Sequence, residues 1–157
     1  MESAKGRLFI QIELLWFLLS FLLGLALAAP IYLNAASFPF YPLLFTYVVL
    51  FVTFTRYIFL LKFTFLAKRQ AWKVLFVFAM FPILFFLGQE LNYFQTFIDE
   101  NGPEAVVGEL ALNKLNSLMQ YSRNVILLFG VGSMISGFIL PFRLFFSVWR
   151  VHNGYQD

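Results

Sequence analysis

The sequence predicts an all-α, polytopic membrane protein built as a single domain of four transmembrane helices, and two observations support this. Hydrophobic residues make up 61% of the 157 positions and charged residues only 12%, whereas about a quarter of a typical globular chain is charged. The apolar residues also form four runs, each longer than the roughly 20 residues that cross a bilayer as a helix. We therefore expect residues 1–157 to fold as one four-helix transmembrane bundle.

The four predicted spans are residues 8–29, 43–67, 74–98 and 125–149. Their apolar residues are continuous and do not alternate with polar ones, which excludes the strands of an outer-membrane barrel. Basic residues precede the first run and "ALAAP" ends it, as in a secretory signal. The run is longer than the apolar region of a signal peptide and contains Glu13, so we expect it to be retained as a helix.

The positions of the basic residues predict the orientation of the bundle. Basic residues precede the first span, fill the connection between the second and third spans, and follow the fourth: Lys5, Arg7, Lys68, Arg69, Lys73 and Arg150. Because short cytoplasmic loops are enriched in Lys and Arg, we expect both termini to be cytoplasmic, in an N-in/C-in protein of the cytoplasmic (inner or plasma) membrane. The rim formed by Lys68, Arg69, Lys73 and Arg150 is also a candidate contact for lipid headgroups.

A short amphipathic helix is predicted on the outer side, over residues 103–119. Pro103 suits a first helical turn and Glu104 follows it. Apolar residues then recur mostly at three- and four-residue steps, at Val107, Leu110, Leu115 and Leu118. We expect this helix to lie on the bilayer surface, with capping of the bundle or docking of a partner as alternatives.

Five charged residues fall inside the predicted spans: Glu13, Arg56, Lys62, Glu90 and Arg143. At about 1.5 Å per residue, Glu13, Lys62 and Arg143 share one level near the cytoplasmic boundary. We predict an ion pair between Glu13 and Arg143, and we expect Lys62 to extend its amine to the headgroups. Arg56 is deeper and needs an acidic partner, backbone carbonyls or water.

Small residues predict which helices pack together. Ser20, Gly24 and Ala28 recur every fourth residue in the first span, and Gly132 and Ser136 form a similar ridge in the fourth. Such ridges allow two helix backbones to approach closely. We therefore predict that the first and fourth spans pack on these ridges.

The third span carries polar residues in its second half. Gln89, Asn92, Thr96 and Asp99 recur at three- and four-residue steps, which places them on one helical face, and Glu90 lies about 100° from Gln89. A polar face at membrane depth requires protein or water beside it. We predict that Arg56 reaches Glu90, directly or through Gln89 or a water.

The motifs of common enzymes and cofactor sites are absent from the sequence. It contains no cysteine, only His152 as a histidine, and no phosphate loop or nucleophile triad, so we expect no catalytic, metal or cofactor site, only bound lipids.

A non-catalytic subunit or accessory factor of a larger membrane complex is the favoured hypothesis. One alternative is a small oligomeric transporter or channel that uses Glu13, Arg56 and Glu90. Another is a membrane enzyme that binds lipid or isoprenoid headgroups at its basic rim. We expect the bilayer and either other membrane subunits or further copies of the chain as partners, and no nucleic acid.

Overall fold

The computed structural model describes the backbone of residues 2–35, 37–108 and 110–154, and the side chains of these residues except 2–6, 65 and 68. Every regular element in this part of the chain is helical. The α-helices are α1 (Glu2–Tyr32), α2 (Tyr41–Phe59), α3 (Gln70–Asn101), α4 (Glu104–Val107) and α5 (Leu112–His152). Two 3₁₀ turns, Leu61–Phe63 and Phe65–Lys68, connect α2 to α3.

Four of these helices are long and apolar enough to cross a membrane: α1 from Arg7 onward, α2, α3 and α5. The prediction of an all-α chain with four apolar spans is confirmed. The 19 residues of α2 extend for about 28 Å, close to the roughly 30 Å thickness of a hydrocarbon core. The 41 residues of α5 extend for about 60 Å, so α5 projects well beyond such a core.

Side-chain contacts show that the start of α1 and the end of α5 lie at the same end of the bundle. Arg56, late in α2, contacts Glu13, early in α1. Lys73, early in α3, contacts Ser147, late in α5. Because the 3₁₀ turns join the end of α2 to the start of α3, both contacts belong to one end. We call it the terminal end, and we call the opposite end the far end.

The helix α2 is central to the bundle. It packs against α1 and α5, while α3 packs mainly against α5 and α1 has little contact with α5. Leu44, Tyr47 and Val48 of α2 are completely buried. The Tyr47 hydroxyl also donates a hydrogen bond of 2.8 Å to the Leu87 carbonyl of α3. The shortest span therefore packs between α1 and α5 and reaches α3 chiefly through Tyr47.

Large aromatic side chains cover the outside of the bundle. Phe78, Phe81 and Phe85 of α3 and Phe138 and Phe145 of α5 are each more than half exposed. In a water-soluble protein such side chains would be mostly buried, whereas a hydrocarbon solvent accepts them. The exposed aromatic surface agrees with a bundle surrounded by lipid.

The small residues of the two ridges contact α2, so the prediction that the first and fourth spans pack on them is wrong. A Cβ atom at Gly24 would lie 2.7 Å from Phe45 Cδ1, and one at Gly132 would lie 2.9 Å from Phe51 Cδ2. Ser20, Ala28 and Ser136, the other members of the ridges, are buried. Each ridge thus accommodates a phenylalanine ring of α2 at its glycine.

The second predicted span, 43–67, is wrong at its end. The helix α2 ends at Phe59, and Thr64 is extended, with φ −103° and ψ 162°, between the two 3₁₀ turns. The Thr64 hydroxyl donates to the Leu61 carbonyl at 2.7 Å. Such local side-chain bonds compete with the helical pattern. Lys62 consequently lies in the connection between α2 and α3, outside the transmembrane helix.

The predicted amphipathic helix over 103–119 is two separate pieces. The short α4 ends before Gly108, whose φ of 80° favours glycine over any other residue. Leu112 then begins α5, and Leu115 and Leu118 are buried in its first turns. The apolar positions therefore pack inside the bundle, and no single surface helix covers this segment. Glu109, a further acidic residue of the segment, lies outside the described residues.

Candidate functional site

The buried charge on α2 forms an ion pair with α1. Arg56 Nη1 donates to Glu13 Oε2 at 2.7 Å, and the two side chains are 4% and 26% exposed. The predicted pair of Glu13 with Arg143 and the predicted contact of Arg56 with Glu90 are therefore both wrong. Glu13 lies on the face of α1 that meets α2, because its small-residue ridge accommodates an α2 side chain.

Aromatic residues surround this ion pair. The Arg56 guanidinium carbon lies 5.6 Å from the Trp16 ring centroid and 5.8 Å from that of Tyr57, within the range of cation–π attraction. The Tyr57 hydroxyl also lies 3.5 Å from Glu13 Oε2. Arg56 Nη2 is buried and has no hydrogen-bond partner among the described residues. A cavity of about 300 Å³ between α1 and α2 adjoins the pair.

Arg143 binds the backbone of α2. Its Nε donates to the Ile58 carbonyl at 3.2 Å. The last carbonyls of an α-helix have no partner within that helix. Because α2 ends at Phe59, the Ile58 carbonyl is among them. The early end of α2 thus supplies the acceptor that Arg143 uses.

The predicted basic rim separates into exposed and buried members. Arg69 and Arg150 are exposed at the terminal end, and Lys62 is exposed with its amine 4.9 Å from the Phe63 ring centroid. Lys73 is completely buried and donates to Ser147 Oγ at 2.7 Å, so its predicted place at the surface is wrong. The side chain of Lys68 lies outside the described residues. Contact of the exposed members with headgroups remains a prediction.

The polar residues of α3 are on the surface. Gln89, Asn92 and Thr96 are exposed, whereas Leu87 and Leu91 are buried. Leu87 and Leu91 each lie two residues from Gln89, about 160° around the helix. Gln89 therefore points away from the rest of the bundle. We call Gln89, Asn92 and Thr96 the polar stripe of α3.

Glu90 is half-buried beside this stripe. It lines a pocket of about 340 Å³ between α3 and the start of α2, together with Phe40, Thr46, Tyr93 and Phe97. In the described part of the chain the ion pair belongs to Glu13 and Arg56, and Glu90 makes neither an ion pair nor a hydrogen bond. The two intramembrane glutamates are therefore in opposite situations.

Sequence reasoning missed the neighbours of the charged residues. Trp16 follows Glu13 by three residues and so shares its helical face, which is a signal that could have identified it. Tyr57 directly follows Arg56, and Ser147 has no distinguishing pattern around it. Which side chains surround a buried charge depends on the neighbouring helix, and one sequence does not contain that information.

No protein-family model matches the chain, and neither a curated protein nor a solved structure shows significant similarity to it. The polar side chains within the spans are therefore the basis on which a function can be assigned.

Proposed function

We propose that this protein is a non-catalytic integral subunit or accessory factor of a larger membrane complex, and that a transmembrane helix of another polypeptide packs on the polar stripe of α3. The observation that carries the proposal is the exposure of Gln89 and Asn92 on a helix that is apolar enough to span a membrane. An amide facing hydrocarbon without a hydrogen-bond partner is costly.

The level of Gln89 follows from its neighbour in α2. Tyr47 lies six residues, or about 9 Å, inside the start of α2, and it bonds to Leu87. Since α2 is just long enough to span the hydrocarbon core, its start marks the far boundary of that core. Gln89 then lies about 6 Å inside the boundary, and Asn92 lies close to it. The stripe therefore begins within the hydrocarbon.

The described part of the bundle provides no hydrogen-bond partner for the side chains of this stripe, because the stripe faces away from both α2 and α5. The neighbouring exposed positions of α3, such as Phe81 and Phe85, are apolar and suit lipid. Polar side chains that hydrogen-bond across an interface are a common means of joining transmembrane helices. A helix that carries complementary amide or hydroxyl groups is therefore the partner that the stripe fits.

The contacts of Glu13, Arg56 and Arg143 within the bundle support a structural role for these charges. Glu13 is paired with Arg56, and Arg143 is bound to the backbone. In this proposal both termini are cytoplasmic, since Arg7, Arg69 and Arg150 are exposed near the terminal end. That orientation places the polar stripe in the outer half of the cytoplasmic membrane.

Photocrosslinking in native membranes tests the proposal. A benzophenone amino acid is placed at Gln89, and the control is placed at Phe85, one turn away on the same face. The expected result is an adduct with one different polypeptide at position 89, and lipid adducts at position 85. Lipid adducts at both positions would contradict the proposal.

A double substitution tests the same contact without a label. Gln89→Leu with Asn92→Leu should lower the amount of co-purifying partner about tenfold, because two interhelical hydrogen bonds are lost. Phe81→Leu with Phe85→Leu is the matched control on the same helix and should leave the partner bound. Equal recovery of the partner from the two variants would exclude the polar stripe as the contact.

Glu90 has no ion-pair partner among the described residues, and this favours one alternative, a small oligomeric transporter. In that case position 89 would crosslink to a second copy of the chain, and the adduct would have twice the mass of the chain. Of the three residues expected to couple transport, Glu13 and Arg56 are already paired, so Glu90 would be the residue that binds the transported species.

A further inference from the structure

The pocket beside Glu90 is a slot at the far end of the bundle. It has a volume of about 340 Å³ and lies between α3 and the chain that enters α2. The wall from α2 and the preceding residues consists of Pro39, Phe40, Pro42, Leu43 and Thr46. The wall from α3 consists of Phe86, Leu87, Glu90, Tyr93 and Phe97. Every α3 residue except Leu87 is at least partly exposed, so the slot opens on the surface of the bundle.

Three aromatic rings from the two walls form a cluster in the slot. The ring centroid of Phe40 lies 6.2 Å from that of Tyr93 and 5.3 Å from that of Phe97, and the last two are 6.1 Å apart. Glu90 lies three residues before Tyr93 and seven before Phe97, which places all three on one helical face. The Glu90 carboxyl group thus lies on the same helical face as two of these rings and lines the same slot as all three.

No described residue donates a hydrogen bond to this carboxyl group, and the Tyr93 hydroxyl is the one free side-chain donor among the described residues that line the slot. Pro39 and Pro42 lack a backbone N–H. The Thr46 hydroxyl already donates to the Pro42 carbonyl at 2.8 Å. Glu90 is the one charged residue among those lining the slot. A carboxylate in such surroundings is stabilised chiefly by a cation that enters from outside.

The chemistry of the slot selects the kind of cation. A single carboxylate with aromatic walls provides too few oxygen ligands for a divalent metal ion. Carboxylate together with aromatic rings is the combination that attracts ammonium groups, by charge and by cation–π interaction. Glu90 lies about 5 Å inside the far boundary, a level that the headgroup of an amphiphile can reach.

We propose that this slot binds the ammonium group of an amphiphile, with the cation between Glu90 and the rings of Phe40, Tyr93 and Phe97. The amphiphile is either an ethanolamine or choline lipid of the bilayer or a free long-chain amine. This proposal does not depend on the partner of the polar stripe, because Glu90 faces the slot whereas Gln89 faces outward.

The test uses the full chain, purified and reconstituted in phosphatidylglycerol nanodiscs. The probe is a photoreactive alkyl trimethylammonium, and its control is the neutral isostere in which a tert-butyl group replaces the ammonium. The expected result is saturable labelling of slot residues by the cation alone. Labelling that is not saturable, or that is equal for the neutral isostere, would overturn the proposal.

Two variants distinguish binding of the probe in the slot from a general attraction of the cation to acidic residues. Glu90→Gln should weaken binding of the cationic probe about tenfold, since it removes the charge and preserves the shape. Asp99→Asn, which removes an exposed charge further along α3, should leave binding unchanged. Equal binding by Glu90→Gln and the parent chain would overturn the proposal.

Two further arms identify the source of the ammonium group. Phosphatidylethanolamine or phosphatidylcholine added to the nanodiscs displaces the probe if the occupant is a bilayer lipid, and it leaves labelling unchanged if the slot prefers a free amine. In native membranes, a photocrosslinker at Tyr93 should form adducts with small molecules. A protein adduct there would identify the slot as a protein interface and overturn the proposal, whatever position 89 contacts.

Discussion

The two glutamates within the spans, Glu13 and Glu90, differ in whether the bundle supplies a partner for the carboxyl group. Glu13, near the terminal end, meets Arg56 at 2.7 Å and is enclosed by aromatic residues of α1 and α2. Glu90, nearer the far end, lies beside proline and phenylalanine and has neither an ion pair nor a hydrogen bond among the described residues. A carboxylate that is paired within the bundle stabilises the packing of its helices. A carboxylate without such a partner is available to a ligand or to another protein.

The difference follows from the helices on which the charges lie. The α1–α2 contact is an intimate one, in which Phe45 occupies the space left by Gly24, and it brings two opposite charges to the same level. The start of α2 reaches α3 through Tyr47, but near Glu90 it offers proline and aromatic side chains. Similar residue types therefore differ in role because their neighbours differ.

The largest expected effect is on the ion pair. Glu13→Gln leaves Arg56 charged and buried, and it should lower the free energy of unfolding by about 3 to 5 kcal/mol. Glu90→Gln breaks no contact and should change it by less than about 0.5 kcal/mol. Reversible unfolding of both variants in mixed micelles, by titration with a denaturing detergent, measures the difference.

A second substitution checks the cause of that loss. Replacing Arg56 by Met in the Glu13→Gln background removes the uncompensated charge and should restore more than half of the lost stability. Equal destabilisation by Glu13→Gln and Glu90→Gln would show that the two glutamates are equivalent, and the comparison would fail.

An intermediate effect is expected where α5 packs on α2. A Cβ atom at Gly132 would lie 2.9 Å from the Phe51 ring, so Gly132→Ala should cost about 1 to 3 kcal/mol of unfolding free energy. At Gly88 the added atom would lie 3.5 Å from Met134 Cε, an ordinary contact, and Gly88→Ala is the control. The same unfolding titration measures both.

A second substitution should compensate for part of the crowding at Gly132. Combining Gly132→Ala with Phe51→Leu should make the two changes less than additive, because the smaller side chain relieves the crowding. Strict additivity would mean that Phe51 does not limit the approach of α5. The position of α2, and with it the level of Arg56, would then depend on other contacts.

The smallest effect is expected at the edge of the ion pair. The Tyr57 hydroxyl lies 3.5 Å from Glu13 Oε2, a long distance for a hydrogen bond, and its ring remains beside Arg56 after the hydroxyl is removed. Tyr57→Phe should therefore cost less than about 1 kcal/mol. Tyr93→Phe, beside the unpaired Glu90, is the control and should have no measurable effect. A loss at Tyr57 as large as that of Glu13→Gln would place the hydroxyl among the main partners of the pair.

The number and kind of helices were predictable from the sequence, because length and apolar composition depend on the solvent and not on the neighbours. The side of each helix that approaches another was also predictable in part: Gly24 and Gly132 do permit close contacts. Their partner was not predictable. A ridge of small residues shows that something approaches closely, but it does not show whether this is a backbone or a phenylalanine ring.

The prediction of the Glu13–Arg143 ion pair was wrong for the same reason. Glu13 and Arg143 lie seven residues from small ridges in their own helices, and this spacing defines a face within one helix. It does not determine which of three neighbouring helices the face meets. Arg143 instead donates to the Ile58 carbonyl. This carbonyl is free to accept because α2 ends earlier than its apolar composition indicates.

The sequence by itself determined that this chain is α-helical, that it has four apolar spans, and that one face of α3 is polar, because these properties follow from composition and from a period of 3.6 residues. Tertiary structure alone decided that Glu13 pairs with Arg56, that Lys73 is buried, and that Glu90 has no ion-pair partner among the described residues. These outcomes depend on which helices become neighbours and at what level, and the fit of α2 phenylalanine rings against glycines of α1 and α5 is one contact that sets these neighbours.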